Sequence, residues 1–359
     1  MADGPIRLTD VQSILKDFRD PESGRSIHDF EQVKNLQLDG DRLSLTLELT
    51  SWAAPIWQDV CDALSEKLQA AFPGLHSVQI DRRIHARAPQ KLGEIGLTAK
   101  SVIAVGSGKG GVGKSTIAAS LALALQRAGS RVGLMDSDVY GPSIPHLLGL
   151  SGRPMIENNR LTPVYKNGMP VMSMGLLVPK EEAVIWRGPM LHGAVTQFLR
   201  DTDWGDLDYL IIDMPPGTGD IALTLSQLLP LTGAVVVCTP QDVALLDAVK
   251  AIHMFRKVNI PILGIVENMS GFVCPDCGKK YDIFGSGGAR KHAEESDVPF
   301  LGEVPIQLAI REHGDAGTME ANFSDANIGP SFEKIAYRLV KNLAASAAAA
   351  PPQPSLPVL

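Results

Sequence analysis

The residues best suited to chemistry concentrate in one run, Gly108-Lys109-Gly110-Gly111-Val112-Gly113-Lys114-Ser115-Thr116. Glycines at 108, 110, 111 and 113 let the backbone turn its N–H groups toward phosphate oxygens. The helix predicted over Ser115–Arg127 adds the positive end of its dipole. Lys114 would reach the β- and γ-phosphates, and the Ser115 hydroxyl would ligate Mg²⁺. The same glycines also satisfy a dinucleotide fingerprint, Gly108-x-Gly110-x-x-Gly113, with Asp136 near the end of the next strand, where a ribose-binding acid belongs. Lys114 and Ser115 decide between the two, because a cation and a hydroxyl there serve a triphosphate and its metal. Asp213 agrees: it ends the apolar run Tyr209-Leu210-Ile211-Ile212, a position that suits an acid holding Mg²⁺ through water. The pattern reads as an ATP·Mg²⁺ site.

A second group is Cys274-Pro275-Asp276-Cys277, two thiols presented from one turn at metal-binding separation. A structural Zn site or an iron–sulfur cluster asks for four ligands, and no second pair exists. Cys61 and Cys238 stand alone in a predicted helix and strand, where small buried hydrophobes are common. A thioredoxin-like redox pair would want a different fold. Two ligands per chain become four if two chains meet on a twofold axis. Spacing alone does not separate a dimer-bridging Zn from a bridging [4Fe–4S] cluster.

The elements that must hold these groups are legible in the apolar pattern. Strands are predicted at Val102–Gly106, Arg131–Asp136, Tyr209–Met214, Ala234–Thr239 and Ile262–Asn268, with a sixth including Phe300–Val304. Their continuous apolar runs alternate with amphipathic helices, which indicates a mainly parallel sheet buried on both faces, with ligands at the carboxyl ends of its strands. The fold class is α/β, with a second, smaller α/β domain before it. That domain spans residues 1–88: a helix over Val11–Phe18, a strand over Arg42–Leu49, a helix over Pro55–Phe72 and a strand over Val78–Ile84. A linker is expected over 89–100, the nucleotide domain over 101–343, and a disordered tail rich in Ala and Pro over 344–359.

At 359 residues and 45% hydrophobic, the chain has apolar material for both cores. A formal net charge of -7 argues against nucleic acid as partner. The N-terminus lacks the pattern of a secretory signal and no run is long enough to span a membrane. Four cysteines make no disulfide framework, so the expected compartment is the reducing cytoplasm.

Lys109, directly after the first glycine, resembles the deviant P-loops of the MinD, ParA and nitrogenase-iron-protein class of P-loop NTPases. The resemblance implies that Lys109 crosses a dimer interface to the partner's nucleotide, which would make hydrolysis depend on dimerisation. Asp136-Ser137-Asp138-Val139-Tyr140-Gly141-Pro142-Ser143 resembles switch I of that class, with Asp138 positioning the attacking water and Asp136 near the metal. Asp213-Met214-Pro215-Pro216-Gly217-Thr218-Gly219-Asp220 resembles switch II, with the Gly217 amide sensing the γ-phosphate.

Further runs narrow the resemblance to the Mrp/ApbC iron–sulfur cluster carrier family. They are Thr239-Pro240-Gln241-Asp242-Val243-Ala244-Leu245, Gly264-Ile265-Val266-Glu267-Asn268-Met269-Ser270-Gly271-Phe272 with the cysteine pair, Ile283-Phe284-Gly285-Ser286-Gly287-Gly288, Trp186-Arg187-Gly188-Pro189-Met190 and Leu301-Gly302-Glu303-Val304-Pro305. Residues 1–88, with Asp20-Pro21-Glu22 and Ser26-Ile27, are similar to the small domain of bacterial Mrp proteins and SufT-type assembly factors. Ala54-Pro55 stands where SufT-type members often carry Cys-Pro, so a docking role is expected there rather than a thiol role.

The family implies a homodimer that binds [4Fe–4S] through Cys274 and Cys277 of each subunit. It implies slow ATP hydrolysis, apo iron–sulfur proteins and a cluster scaffold or donor as partners, and Asn268 against the adenine base. The competing readings are a MinD/ParA-like positioning ATPase and a Zn-bridged, nucleotide-binding dimer. Neither a basic membrane-binding terminal helix nor a basic face favours the first.

Overall fold

The structure, a computed structural model, describes residues 6–138, 141–157, 159–177, 188–217, 219–274 and 277–350. The chain divides into two compact units, one comprising Met1–Arg87 with Val340–Leu359 and the other Ala88–Leu339.

The small unit holds α1 (Leu8–Lys16), β1 (Val33–Asp39), β2 (Arg42–Leu49), α2 (Trp57–Ala71) and β3 (Ser77–Ile84). The alternation in β2 buries Leu43, Leu45, Leu47 and Leu49, and Leu64 and Leu68 of α2 are buried with them. β2 is central, antiparallel to β1 and parallel to β3. Asp20 is buried at the base of a polar knot. It accepts from Ser23 Oγ (2.6 Å) and Gln32 Nε2 (3.0 Å) and pairs with Arg87 (2.7 Å), which also reaches Glu22 (3.0 Å). Arg87 holds the Asp20 carboxyl below the ordinary range against the opposing effect of burial, which is the larger single influence.

The large unit continues with β4 (Lys91–Leu92), β5 (Leu97–Gly106), α3 (Lys114–Ala128), β6 (Val132–Asp136), α4 (Ile144–Leu147), β7 (Met155–Glu157), β8 (Arg160–Thr162), β9 (Val164–Lys166) and β10 (Met169–Ser173). It goes on with α5 (Gly188–Asp201), β11 (Leu207–Asp213), α6 (Gly219–Leu228), β12 (Gly233–Cys238), α7 (Asp242–Lys257) and β13 (Ile262–Val273). The remaining elements are β14 (Lys280–Tyr281), α8 (Gly288–Glu295), β15 (Phe300–Ile306), α9 (Leu308–Asp315) and α10 (Gly329–Ala349).

Among the described residues the main sheet runs β14-β13-β12-β5-β11-β6-β10-β9, with β15 also on β13 and β4 on β5. The pairs β12–β5, β5–β11, β11–β6 and β6–β10 are parallel. Every residue of β6, β11 and β12 is buried, as their uninterrupted apolar runs require. From β5 the chain moves to one side through β6 and later to the other through β12. The strand order therefore reverses at β5, and a crevice opens at its carboxyl end.

Several elements differ from the sequence reading. β5 begins at Leu97, inside the expected linker. β1 and the short strands β7 to β10 were not expected. β13 runs on to Val273, so Asn268 lies within a strand. The last helix extends to Ala349, so residues 344–349 of the expected disordered tail are helical, and 351–359 lie outside the described residues. From Val340 onward that helix belongs with the small unit, where Lys341 pairs with Asp59 (3.0 Å).

Candidate functional site

The loop from Ser107 to Gly113 joins the carboxyl end of β5 to the start of α3. Gly113 caps α3 with φ of 79°, a left-handed conformation open to glycine, and a Cβ there would lie 2.1 Å from Asn268 Nδ2. A Cβ on Gly108 would strike the Asp247 carbonyl at the same separation, so the loop backbone lies directly against α7. The dense glycine spacing is therefore a packing requirement as well as a phosphate-binding one.

Lys114 is buried in the first turn of α3. Its Nζ pairs with Asp213 Oδ1 (2.5 Å) and lies 3.2 Å from Ser115 Oγ. Asp213 ends β11 and is register partner to Asp136 at the end of β6, which is in turn partner to Ser173 at the end of β10. Parallel strands thus set three polar side chains in a row along the crevice. Asp136 Oδ1 accepts from Asp138 N (3.0 Å), and Oδ2 accepts from Ile144 N (3.2 Å) and Ser173 Oγ (3.0 Å). Burial, and secondarily the neighbouring Asp213, push the Asp136 carboxyl up to about 8. Burial also raises Asp213, with Lys114 pulling the other way.

The other buried oxygen, Asp213 Oδ2, has no hydrogen-bond partner among the described residues. An orphaned carboxylate oxygen is costly unless something cationic or donating meets it. With Asp136 alongside and the Ser115 hydroxyl close to Lys114, this hard-oxygen set fits Mg²⁺.

Asp138 is buried and its Oδ1 accepts from Gly141 N (3.1 Å). It lines a cavity of about 620 Å³ with Pro215, Pro216, Gly217 and His192. Val139, Tyr140, Thr218 and the expected run at Trp186-Arg187 lie outside the described residues. The Gly217 amide donates to the Ser107 carbonyl (3.1 Å), tying the second switch-like segment to the phosphate loop. Lys109 is half-buried, and among the described residues no carboxylate lies within ion-pair distance of it.

Asn268 is brought to the same place from β13. Its Nδ2 donates to the Val112 carbonyl (2.9 Å). The cysteines follow the end of β13, between it and the antiparallel β14, with Phe272 opposite Tyr281 and Val273 opposite Lys280. Cys274 N donates to the Lys279 carbonyl (3.0 Å) and Gly278 N to the Cys274 carbonyl (2.9 Å). Cys274 is half-buried and Cys277 exposed, whereas Cys61 and Cys238 are buried in α2 and β12. Burial pushes the Cys238 thiol up to about 12, which favours its protonated form. No group of three or more His, Cys, Asp or Glu among the described residues is positioned to hold a metal.

Sequence reasoning missed Ser173, Ser137 and Glu267. Ser137 donates from N and Oγ to the Asp213 carbonyl (2.9 and 2.8 Å). Glu267 accepts from Ser270 Oγ (2.5 Å), Gly287 N (2.8 Å) and Ala289 N (2.7 Å). The available signal was a charged residue inside an apolar strand, which has to be matched by donors.

Fold and loop together define a P-loop NTPase of the MinD/ParA-like type. Residues 98–340 match the family described as NUBPL iron-transfer P-loop NTPase, and residues 8–81 match the family described as iron-sulfur cluster assembly protein. This chain belongs to the NUBPL-type iron-transfer P-loop NTPase family. It is 48% identical over 307 residues to the iron-sulfur cluster carrier protein of Deinococcus radiodurans, covering 84% of this chain and 86% of that one. It is 55% identical over 221 residues to the mouse iron-sulfur cluster transfer protein NUBPL, covering 61% of this chain and 69% of that one. A nucleotide-binding protein from Archaeoglobus fulgidus, solved with ADP, superposes with a TM-score of 0.56 at 42% identity, over 62% of this chain and 88% of that one. The cell division ATPase MinD of Pyrococcus furiosus, 23% identical with a TM-score of 0.51 over 67% of this chain and 98% of that one, shares the fold. No helix among the described residues is long and apolar enough to cross a membrane.

Proposed function

We propose that this chain is an ATP-dependent carrier that binds a [4Fe–4S] cluster between two copies of itself and transfers it to apoproteins. The observation that carries the reading is the pair of thiols, half-buried Cys274 and exposed Cys277, in the turn that follows the strand whose Asn268 is bonded to the phosphate loop. Membership of the iron-transfer family and the carrier names of the relatives support it. A cargo that must be handed on calls for an accessible, easily exchanged ligand set. Four thiolates would come from two subunits.

Lys114 would turn from Asp213 to the β- and γ-phosphates, held in place by the buried first turn of α3. Mg²⁺, held through Ser115 with Asp213 and Asp136 beside it, would neutralise phosphate charge. Asp138, fixed through Gly141 N, would orient the attacking water. Lys109 would reach the nucleotide of the partner subunit and make hydrolysis slow until two chains meet. Gly108 to Thr116 would cradle the phosphates, and Asn268 would meet the adenine base. The small unit would dock partner proteins, and free thiols fit a reducing cytoplasm.

The test is anaerobic reconstitution with iron and sulfide, followed by transfer to an apo-enzyme with and without ATP. About four iron and four sulfide per dimer, with transfer that responds to ATP, are expected. Stoichiometric Zn that iron cannot replace would establish the Zn-bridged dimer instead and end the carrier reading.

A further inference from the structure

Glu267 and Asn268 are adjacent on β13, and strand geometry sends adjacent side chains to opposite faces. Asn268 is bonded to the Val112 carbonyl, near the end of the loop whose amides would wrap the phosphates. Glu267, fully buried, has the other task. Its Oε1 takes Ser270 Oγ and Gly287 N, and its Oε2 takes Ala289 N in the first turn of α8. Ser270 and Gly287 are the two ends of the excursion that carries Cys274, Cys277 and β14. One carboxylate therefore closes the neck of the cysteine hairpin, while its neighbour grips the phosphate loop.

The neck has little slack. A Cβ on Gly288 would come within 2.9 Å of the Pro240 carbonyl, a backbone atom with no room to give. Met269, next along the strand, has φ of 59° and turns the backbone sharply between grip and hairpin. A shift of the Val112 carbonyl that drew Asn268 with it would therefore move Glu267 and both ends of the hairpin together.

The geometry points to Glu267 as the positioning residue that links nucleotide binding at the phosphate loop to the exposure of the cysteine pair. Nucleotide changes the setting of Val112 and Asn268, Glu267 carries that change to Ser270 and Gly287, and the thiols open or close accordingly. Such coupling requires the neck to take two settings, one with nucleotide and one without. This rests on the reading above, in which the loop takes nucleotide and the hairpin takes the cargo.

The test uses the reduced, cluster-free full chain. Alkylation of Cys277 by iodoacetamide is followed by peptide mass spectrometry without nucleotide, with ADP·Mg²⁺ and with a non-hydrolysable ATP analogue and Mg²⁺. Buried Cys61 and Cys238 serve as internal controls. In the wild type, nucleotide should change the Cys277 rate about fivefold or more. Glu267→Gln, which offers one acceptor where three donors converge, should bind nucleotide within about threefold of wild type yet react at one rate in all three conditions. Ser270→Ala cuts the tie at the start of the hairpin only. It should at least halve the ratio, and it decides the matter if Glu267→Gln does not fold. A wild-type rate indifferent to nucleotide overturns the inference. So does a variant whose rates shift equally in every condition while the ratio survives, since a purely structural Glu267 would behave that way. No cluster is present in this experiment, so reconstitution of the wild type still judges the carrier reading separately.

Discussion

The phosphate loop and the cysteine hairpin are opposites in construction. At the loop, ionisable and polar groups are buried and matched within one chain: Lys114 against Asp213, Asp136 against three donors, Asn268 against Val112. At the hairpin, one thiol is half-buried, the other is exposed, and the described residues supply no further ligands. The difference follows from what each region must do. Stabilising charge on a transferring phosphoryl group depends on dipoles and cations fixed in advance, in a place with little water. Holding a cargo that has to leave depends on the reverse, because a site completed and enclosed within one chain would have no route for exchange.

The comparison is easiest to break at the loop. Lys114→Ala should lower hydrolysis by about 10³-fold or more, since a preorganised cation at the phosphates is lost, and nucleotide affinity should fall with it. Cluster loading should persist. Loss of loading in the folded variant would show that the regions are not separable. The substitution also strips buried Asp213 of its cation, a loss that runs to about 3–5 kcal/mol when a buried charge is stranded. Burial already favours the protonated carboxyl, so the observed loss should lie toward the lower figure. Lys109→Ala should leave nucleotide affinity near wild type and cut hydrolysis by about 10³-fold, abolishing its dependence on protein concentration. Hydrolysis that never depended on concentration, in wild type or variant, would refute the trans role.

At the hairpin the expected effect is narrower in kind. Disturbing groups that merely support metal ligands costs about 10- to 100-fold in affinity, so Cys277→Ala should cost at least that for the cluster. Nucleotide affinity should not move. A stable cluster in that variant would require other ligands. Cys238 is a poor candidate, with its thiol pushed up to about 12 by burial.

How much of this was legible in the sequence follows the same division. The loop could be read because its residues are contiguous and its glycines are demanded by a local shape. Asp213 was legible as the polar end of an apolar run. Ser173 was not, because its meaning lies in register: β10 sets it beside Asp136, which is 37 residues away in sequence. Glu267 could be seen but not interpreted, since its donors come from Ser270, Gly287 and Ala289 after the chain has gone out and returned. β1 escaped because Asn35 has a positive φ and the ladder slips between Lys34 and Gln37, which breaks the alternation. The tail was misread for a different reason. Lack of charge suggested disorder, but Ala is the strongest helix former, and α10 runs through the alanines to stop just before Pro351-Pro352.

The smallest effect gives the sharpest contrast, because it should belong to the loop alone. The Asp136 carboxyl is pushed up to about 8 in the folded chain, from an ordinary value of 3.8. Between those two values the folded chain keeps a proton that the unfolded chain has lost. Unfolding then releases a proton, so stability without added nucleotide should fall as pH rises through that window, by at most about 1.4 kcal/mol per pH unit from this group. Below about pH 4 both states hold the proton and the slope vanishes; above about 8 neither does. Asp136→Asn has no proton to lose, and its stability should vary less steeply between pH 6 and 8, as measured by denaturant midpoints. Adding ADP·Mg²⁺ to the wild type should flatten the same slope, because a nearby cation favours the ionised carboxylate. A Cys274→Ser, Cys277→Ser chain should keep the wild-type slope in full. Equal slopes in wild type and Asp136→Asn would mean that the row of acids at the strand ends is ionised from the outset. The buried site would then be held in its charged form before any nucleotide or metal arrives.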